Sequence, residues 1–194
     1  ASAPEPVWNR AAEWLKRSAL HAAACGRKLV IEMHHGTLCD SASSSLRLLD
    51  MIDEDNVGLT LDPVNLYQVP ADYGKEAIAA LGRSLFNVHI KDIVQLQSAD
   101  YPYAFPYSYY ATHIGRFTTV APPQNLGAER YYCHRRIGAG GVDWAHVLRS
   151  LQRAGYRGRL IVESVSEANR QMPAGAELAE TCFKDVTELY ETLS

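Results

Sequence analysis

Length, composition and charge place the chain among ordinary globular proteins. Its 194 residues, 47% hydrophobic and 21% charged, suffice for the core of one domain. A net charge of -3 and an isoelectric point near 6.2 argue against the broad basic surface that nucleic-acid binding requires. The chain contains no run of about 18 apolar residues, and residues 1–10 do not resemble a signal peptide, so we expect a cytoplasmic protein that binds neither membrane nor nucleic acid.

The cysteines indicate a reduced protein. Cys25, Cys39, Cys133 and Cys182 are widely spaced and form no CxxC pair. A disulfide framework or a structural zinc site is therefore not expected.

Helix and strand patterns alternate along the chain. Apolar residues at helical spacing predict helices over residues 8–25, 44–52, 70–81, 142–154 and 176–193. Short runs rich in branched apolar residues predict buried strands over residues 28–33, 57–62, 85–90 and 159–164. Because strands separated by helices form parallel sheets with right-handed crossovers, the sequence predicts an α/β fold.

A Tyr-rich segment at residues 93–137 interrupts this alternation and is too long for an ordinary connection. Its aromatic cluster comprises Tyr101, Tyr103, Phe105, Tyr107, Tyr109 and Tyr110. Two interpretations are open. The segment is either a self-packed surface excursion or an aromatic cover over a ring-shaped ligand.

Acidic and imidazole side chains occur at the carboxyl ends of all four predicted strands. They are Glu32, Asp62, His89 and Glu163. Ligands of parallel α/β folds bind at that edge of the sheet. One such carboxylate could be a structural ion-pair partner, but three in one place repel each other unless a cation compensates them. The pattern therefore predicts a divalent-metal site.

The donor set indicates which metal is expected. Three carboxylates and one imidazole are mostly oxygen ligands, which favour Mn²⁺, with Mg²⁺ or Co²⁺ as alternatives. Positions left open on the metal could take two substrate oxygens. A carbonyl bound there would be polarised and its neighbouring C–H made more acidic, so that a ligand carboxylate could move the proton.

Five short strings carry a family resemblance: VIEMH (30–34), LTLDPVN (59–65), NVHIKD (87–92), RRIGAGGVDW (135–144) and LIVES (160–164). At these strings the chain resembles the sugar phosphate isomerase and epimerase family of xylose-isomerase-like TIM barrels. The resemblance implies that residues 1–194 form a single domain, the C-terminal half of a (β/α)8 barrel with its last four βα units. In that interpretation residues 93–137 are an insertion.

The resemblance also implies roles for individual residues. Glu32, Asp62, His89 and Glu163 become the metal ligands, with Glu32 and Glu163 facing opposite sides of the substrate carbon as acid and base. Arg135 would bind substrate oxygens, and Lys91 would bind substrate or brace the site. The full set of candidate substrate-binding residues is Arg135, Asn65, Lys91 and His35. The implied activity is the isomerisation or epimerisation of a sugar or keto-sugar.

Departures from the family pattern keep other activities open. Asn65 stands where many relatives have a histidine, and His34 is unusual for a simple epimerase. The catalytic subunits of C-glycoside deglycosylases resemble this chain in having a histidine beside the first metal glutamate. In that alternative a 3-keto-glycoside lyase acts by β-elimination, with His34 as the base toward a phenolic aglycone. His34 could also be a supporting group outside the reaction.

Two further alternatives come from the same wider group. An endonuclease IV-like nuclease would need a histidine-rich zinc site, which Asn65 and the acidic balance disfavour. A barrel relative that acts only as a scaffold would have no need of the full ligand set.

The number of βα units predicts a partner. A closed barrel needs eight strands, whereas this sequence predicts four. We expect the first four strands to come from another chain or fragment, because four strands alone would expose two edges and much of the interior. Pairing with a second copy is the alternative, although it would put two metal sites in one barrel mouth. An oligomer is expected in either case.

Overall fold

The computed structural model describes residues 3–98, 100, 104–106, 130–163 and 175–191. Its α-helices are α1 (Glu5–Ala24), α2 (Ala42–Ile52), α3 (Pro63–Tyr67), α4 (Lys75–Leu81), α5 (Trp144–Arg153) and α6 (Gly175–Glu191). Its strands are β1 (Leu29–Glu32), β2 (Val57–Leu61), β3 (Leu85–Ile90), β4 (Asp92–Leu96), β5 (Phe105–Pro106), β6 (Tyr131–Arg135) and β7 (Arg159–Val162). Within these described ranges, no helix is long and apolar enough to cross a membrane.

The described residues divide into two compact units. The first unit contains residues up to 90 together with 144–162, and the second contains the described residues of 91–143 and 163–192. The sequence prediction of a single domain stays a prediction.

The first unit is built on a parallel sheet. Its strands lie in the order β1-β2-β3-β7, each in parallel register with its neighbour. Every residue of β2 is buried, whereas the edge strands β1 and β7 contain no buried residue. The predicted parallel α/β arrangement is therefore confirmed. Its core consists of large side chains from the sheet and the helices: Trp8, Ile52, Leu59, Leu61, Leu66, Ile78, Leu81 and Trp144.

The second unit contains an antiparallel sheet that the sequence did not predict. Its strands lie in the order β4-β6-β5, and Asp92 pairs with Arg135 at one end of the β4–β6 ladder. The described parts of the Tyr-rich segment thus include regular strands. Residues 101–103 and 107–129, which hold the clustered tyrosines, lie outside the described residues, so the two interpretations of that cluster stay open.

Two local differences from the sequence prediction affect the site. The helix predicted over residues 70–81 begins only at Lys75, because the Asp72 carboxylate accepts hydrogen bonds from the backbone N–H groups of Gly74 and Ala77. A short helix, α3, occurs where none was predicted. Asp62 caps it and Pro63 occupies its first position, which is a common way to start a helix.

A third difference concerns His34. The strand predicted over residues 28–33 stops just before His34, and β1 itself ends at Glu32. The backbone N–H of Met33 still donates to Thr60, at 2.9 Å, and then the N–H of His34 turns to the carbonyl of Cys39, also at 2.9 Å. His34 therefore lies in the loop beyond the strand, and its role as a base stays a prediction.

Candidate metal centre

Three of the predicted strand-end residues converge in the first unit. Glu32 is the last residue of β1, Asp62 directly follows β2, and His89 lies one residue before the end of β3. Nδ1 of His89 is 3.6 Å from Oε1 of Glu32 and 3.4 Å from Oδ2 of Asp62. The candidate ligand atoms of the three residues all lie within 4.8 Å of one another. The parallel register brings these ends together, because β2 pairs with β1 on one side and with β3 on the other.

The two carboxylate oxygens of Asp62 have different contacts. Oδ1 accepts a hydrogen bond from the backbone N–H of Asn65 at 3.0 Å, which caps α3. Oδ2 faces His89. The side chain is wholly buried, and Pro63 fixes the backbone that follows it. Asp62 is therefore held with Oδ1 on the backbone of α3 and Oδ2 toward His89.

The separations between these atoms fit a shared cation. Hydrogen-bonded nitrogen and oxygen atoms usually lie about 2.7–3.2 Å apart, which is shorter than both His89 contacts. Two neighbouring ligand atoms bound at about 2.1 Å to one divalent ion lie about 3.0–3.4 Å apart, so the 3.4 Å contact lies within this range and the 3.6 Å contact is slightly longer. The spacing and the carboxylate–imidazole chemistry of Glu32, Asp62 and His89 are therefore suited to a divalent metal.

Asn65 contacts Glu32, and His35 contacts Asn65. The Nδ2 of Asn65 donates to Oε1 of Glu32 at 2.9 Å and to the carbonyl of Met33 at 3.3 Å. The Nδ1 of His35 is 3.1 Å from the carbonyl oxygen of Asn65, and both residues are buried. Their described contacts are thus with the protein, and substrate binding by either stays a prediction.

His34 is held in one tautomer. Its Nδ1 is 2.7 Å from the carbonyl oxygen of His35, and Thr37 Oγ1 donates to the His34 carbonyl at 2.7 Å. A carbonyl oxygen can only accept, so Nδ1 carries the hydrogen. In the neutral ring Nε2 then holds the lone pair, which is the form that a general base needs. The ring also lies 4.3 Å, between centroids, from that of His35.

The remaining candidates belong to the second unit. Glu163 directly follows β7, and its Oε2 accepts a hydrogen bond from Nζ of Lys91 at 2.6 Å. Arg135 ends β6, where its NH1 lies 2.8 Å from Sγ of Cys133 and donates to the carbonyl of His134 at 3.1 Å. Glu163 and Lys91 are thus brought together as an ion pair, while Arg135 is held by its own strand.

His134 is a buried neighbour of that pair. Burial lowers the pKa of His134 to about 4, and the positive charge of Lys91 acts in the same direction. The ring is therefore neutral at pH 7 and adds no positive charge near Glu163.

Asp92 organises the loop after β6 and was not among the predicted site residues. Its buried carboxylate accepts hydrogen bonds from the backbone N–H groups of Ile93, Gly138, Gly140 and Val142, at 2.9–3.4 Å. Burial raises its pKa to about 6, although these four donors favour the charged form. The sequence features that could have indicated this role are the position of Asp92 just after the predicted strand 85–90 and the glycine-containing string at residues 135–144.

Comparison with known proteins places the chain in a family. Residues 2–182 match the family model described as xylose isomerase-like TIM barrel. The chain belongs to this family. The predicted fold class and family resemblance are thus confirmed.

Three relatives illustrate the similarity. Inosose dehydratase from Lacticaseibacillus casei is 26% identical over 184 residues, which cover 93% of this chain and 54% of the relative. The D-psicose 3-epimerase of Clostridium cellulolyticum H10, solved with D-tagatose, has a TM-score of 0.67 at 16% identity over 100% of this chain and 59% of its own. The IOLI protein, solved with a bound zinc atom, has a TM-score of 0.64 at 20% identity over 94% and 56%. The chain therefore spans about half the length of these relatives.

Proposed function

We propose that this chain carries the metal-binding half of a divalent-metal-dependent sugar isomerase or epimerase. The observation that supports the proposal most directly is the convergence of Glu32, Asp62 and His89 at the carboxyl edge of the parallel sheet. Enzymes with the xylose isomerase-like barrel bind ligands at that edge. Among the proteins similar to this chain are an inosose dehydratase and a D-psicose 3-epimerase, which supports the substrate class.

We propose Mn²⁺ as the metal and Glu163 as the fourth ligand. The oxygen-rich donor set favours Mn²⁺ or Mg²⁺, and Co²⁺ is chemically compatible. Glu163 directly follows β7, the strand that pairs with β3, where His89 stands opposite Ile161. When bound, such a metal polarises a substrate carbonyl and makes the adjacent C–H more acidic.

The two glutamates would move the proton. Glu163 would take it from the carbon beside the carbonyl, the C–H electron pair would move toward the carbonyl, and Glu32 would return a proton from the other face to give the epimer. Lys91 holds Glu163, and Asn65 holds Glu32, so each carboxylate has a partner that fixes it. We propose Arg135 for binding of substrate oxygens.

A 3-keto-glycoside lyase is the second candidate. The tautomer of His34, with its lone pair on Nε2, is the observation that favours it. In β-elimination a base removes the proton beside the keto group and the C–H electron pair forms a carbon–carbon double bond. The aglycone leaves from the next carbon with the electrons of the broken bond and takes up a proton at its own carbon. His34 would then act on the phenol of the aglycone.

Metal titration tests the proposal. Calorimetric titration of the metal-free protein with Mn²⁺ should give one site, and Glu32→Gln or Asp62→Asn should weaken it at least about tenfold. Asp50→Asn, which alters an acidic residue on α2, is the matched control and should leave the affinity unchanged. Equal affinities in all variants would contradict the proposed site.

Proton exchange tests the reaction. In its native assembly the Mn²⁺-loaded protein should exchange the proton beside the carbonyl of a keto sugar in heavy water. At saturating Mn²⁺, Glu163→Gln should lose roughly 10²-fold or more in exchange rate, because an amide cannot accept the proton. An unchanged rate would restrict Glu163 to a structural or ligand role.

We propose that a second half-barrel completes the site. A TIM barrel closes with eight parallel strands, and the parallel sheet of the described residues has four, with β1 and β7 at its edges. Ile161 and Val162 of β7 are 36% and 39% exposed, which is unusual for apolar strand residues. In light scattering, Ile161→Lys should abolish association with the second half-barrel, while Glu13→Lys, which alters an exposed residue of α1, should not. Association that survives Ile161→Lys would contradict an interface at β7.

A further inference from the structure

Asn65 contacts two candidate metal ligands through different groups. Its side-chain Nδ2 donates to Oε1 of Glu32 at 2.9 Å, and its backbone N–H donates to Oδ1 of Asp62 at 3.0 Å. The residue is 1% exposed and lies in α3, whose first position is Pro63. We propose that Asn65 is a positioning residue that orients Glu32 and Asp62 together and thereby sets the geometry of the metal centre. This inference rests on the proposed function.

The amide orientation follows from the chemistry of its partners. Nδ2 of Asn65 lies near a carboxylate oxygen of Glu32 and the carbonyl oxygen of Met33, and both are acceptors at neutral pH. Only the NH₂ end of the amide can donate to both. Each of its two hydrogens therefore has a partner, and the group links the strand end that carries Glu32 to α3.

This linkage explains why an asparagine suits the position. A neutral histidine has one N–H and could satisfy one of the two acceptors, whereas a primary amide satisfies both. An apolar residue would leave the buried carbonyl of Met33 without this donor. Glu32 is exposed and has a flexible side chain, so without Asn65 its carboxylate would rotate among several positions. Asp62 would retain its bond to the backbone N–H of residue 65 in any such variant.

Asn65→Leu and Asn65→Ala test the proposal. Leucine keeps the volume and removes the donor, while alanine adds no bulk and serves if leucine does not fit. Each variant should bind Mn²⁺ about 10- to 100-fold more weakly, the range found when a partner of a metal ligand is removed. Each should also change the visible absorption bands of the Co²⁺-loaded protein, which report coordination geometry.

A matched control is available in the same segment. Gln68 is also buried, and its Nε2 lies 3.4 Å from the carbonyl of Val64. Gln68→Met removes an amide next to α3 without touching Glu32, so it should change Mn²⁺ affinity less than about twofold. Circular dichroism of the metal-free proteins would establish that all variants fold alike.

The outcomes separate this inference from the proposed function. If Glu32→Gln weakens Mn²⁺ binding but both Asn65 variants keep the parent affinity and Co²⁺ spectrum, Asn65 has only a structural role and the inference is overturned. If Glu32→Gln itself has no effect, the proposed metal site fails and the inference fails with it. Weaker binding and an altered spectrum in the Asn65 variants alone, relative to Gln68→Met, support the inference.

Discussion

Lys91 donates a hydrogen bond to Glu163 over 2.6 Å, and the two ends of this ion pair differ in burial. The Lys91 side chain is 11% exposed, whereas that of Glu163 is 42% exposed. Removing an ion-pair partner costs more when the charge that remains is buried, because water hydrates an exposed charge. Removal of Glu163 and removal of Lys91 should therefore lower the free energy of unfolding by different amounts.

Glu163→Ala should accordingly destabilise the metal-free protein more than Lys91→Met does. We expect a decrease in the free energy of unfolding of about 1–3 kcal/mol for Glu163→Ala and less than about 1 kcal/mol for Lys91→Met. Urea unfolding measures both. The exposed pair Lys184–Glu188, with side chains 72% and 58% exposed, is the control, and its removal should have little effect. Equal losses in the two Lys91–Glu163 variants would contradict the burial argument.

Asp92→Asn should change how stability depends on pH. An ordinary aspartate has a pKa of about 3.9, and burial raises that of Asp92 to about 6. Between these values the folded protein binds a proton that the unfolded chain releases. Stability from this group is thus fully present below about pH 4 and is lost as pH rises through about 6.

Urea unfolding between pH 4 and pH 7 tests this assignment. The stability of the parent relative to Asp92→Asn should fall by roughly 2–3 kcal/mol across that range, because asparagine does not titrate. Taking the difference between the two proteins removes the contribution of His134, which titrates in the same range. A relative stability that rises with pH would mean that the four N–H donors outweigh burial.

Gly140→Ala should destabilise the second unit. A Cβ at this position would lie 2.0 Å from Oδ1 of Asp92 and 2.6 Å from the carbonyl oxygen of Ile93. Neither atom can move away without breaking the hydrogen bonds of the loop, so we expect a loss of about 2 kcal/mol or more. Gly155→Ala is the control, because its Cβ meets open space and only its positive φ disfavours alanine. The melting temperature of Gly140→Ala should be well below that of Gly155→Ala, and the reverse order would contradict the predicted clash.

The parallel sheet could be predicted because its signals are local. The strand over residues 85–90 was predicted with its exact bounds, since a branched apolar run between a helix and a polar string has few alternatives. Glu32, Asp62 and His89 could be grouped because parallel strands end at one edge. The predicted strands at residues 28–33 and 57–62 extended one residue too far at one or both ends, and β7 ends at Val162, because hydrogen bonding rather than composition decides where a strand ends.

The other features depend on contacts between distant residues. The β4–β6 ladder joins residues about 40 positions apart, and no short-range turn signal marks it. In the sequence, Asp92 is one of several polar residues in the string at residues 87–92. Only the fold shows that it accepts four backbone hydrogen bonds. The backbone course at His34 could not be predicted for a related reason. Its backbone turns toward Cys39 instead of continuing β1, and no periodicity reveals that turn.

His34→Ala should distinguish the two proposed activities. If the protein is an isomerase or epimerase that works through two glutamates, the variant should keep solvent proton exchange on a keto sugar within a few-fold of the parent. If it is a keto-glycoside lyase, Nε2 of His34 is the proposed base for the phenol of the aglycone, because Nδ1 donates to the carbonyl of His35. Loss of a general base lowers the rate about 10²- to 10⁴-fold.

Both reactions are therefore measured on the same metal-loaded preparations of parent and variant. His21→Ala, which removes an exposed histidine of α1, is the control for nonspecific effects. Release of a phenolic aglycone by the parent that disappears in His34→Ala, while proton exchange persists, would support the lyase. Release that survives in His34→Ala would remove His34 from the elimination. Proton exchange by the parent without any release would support the epimerase, because only the carbon–hydrogen bond beside the carbonyl would then be broken.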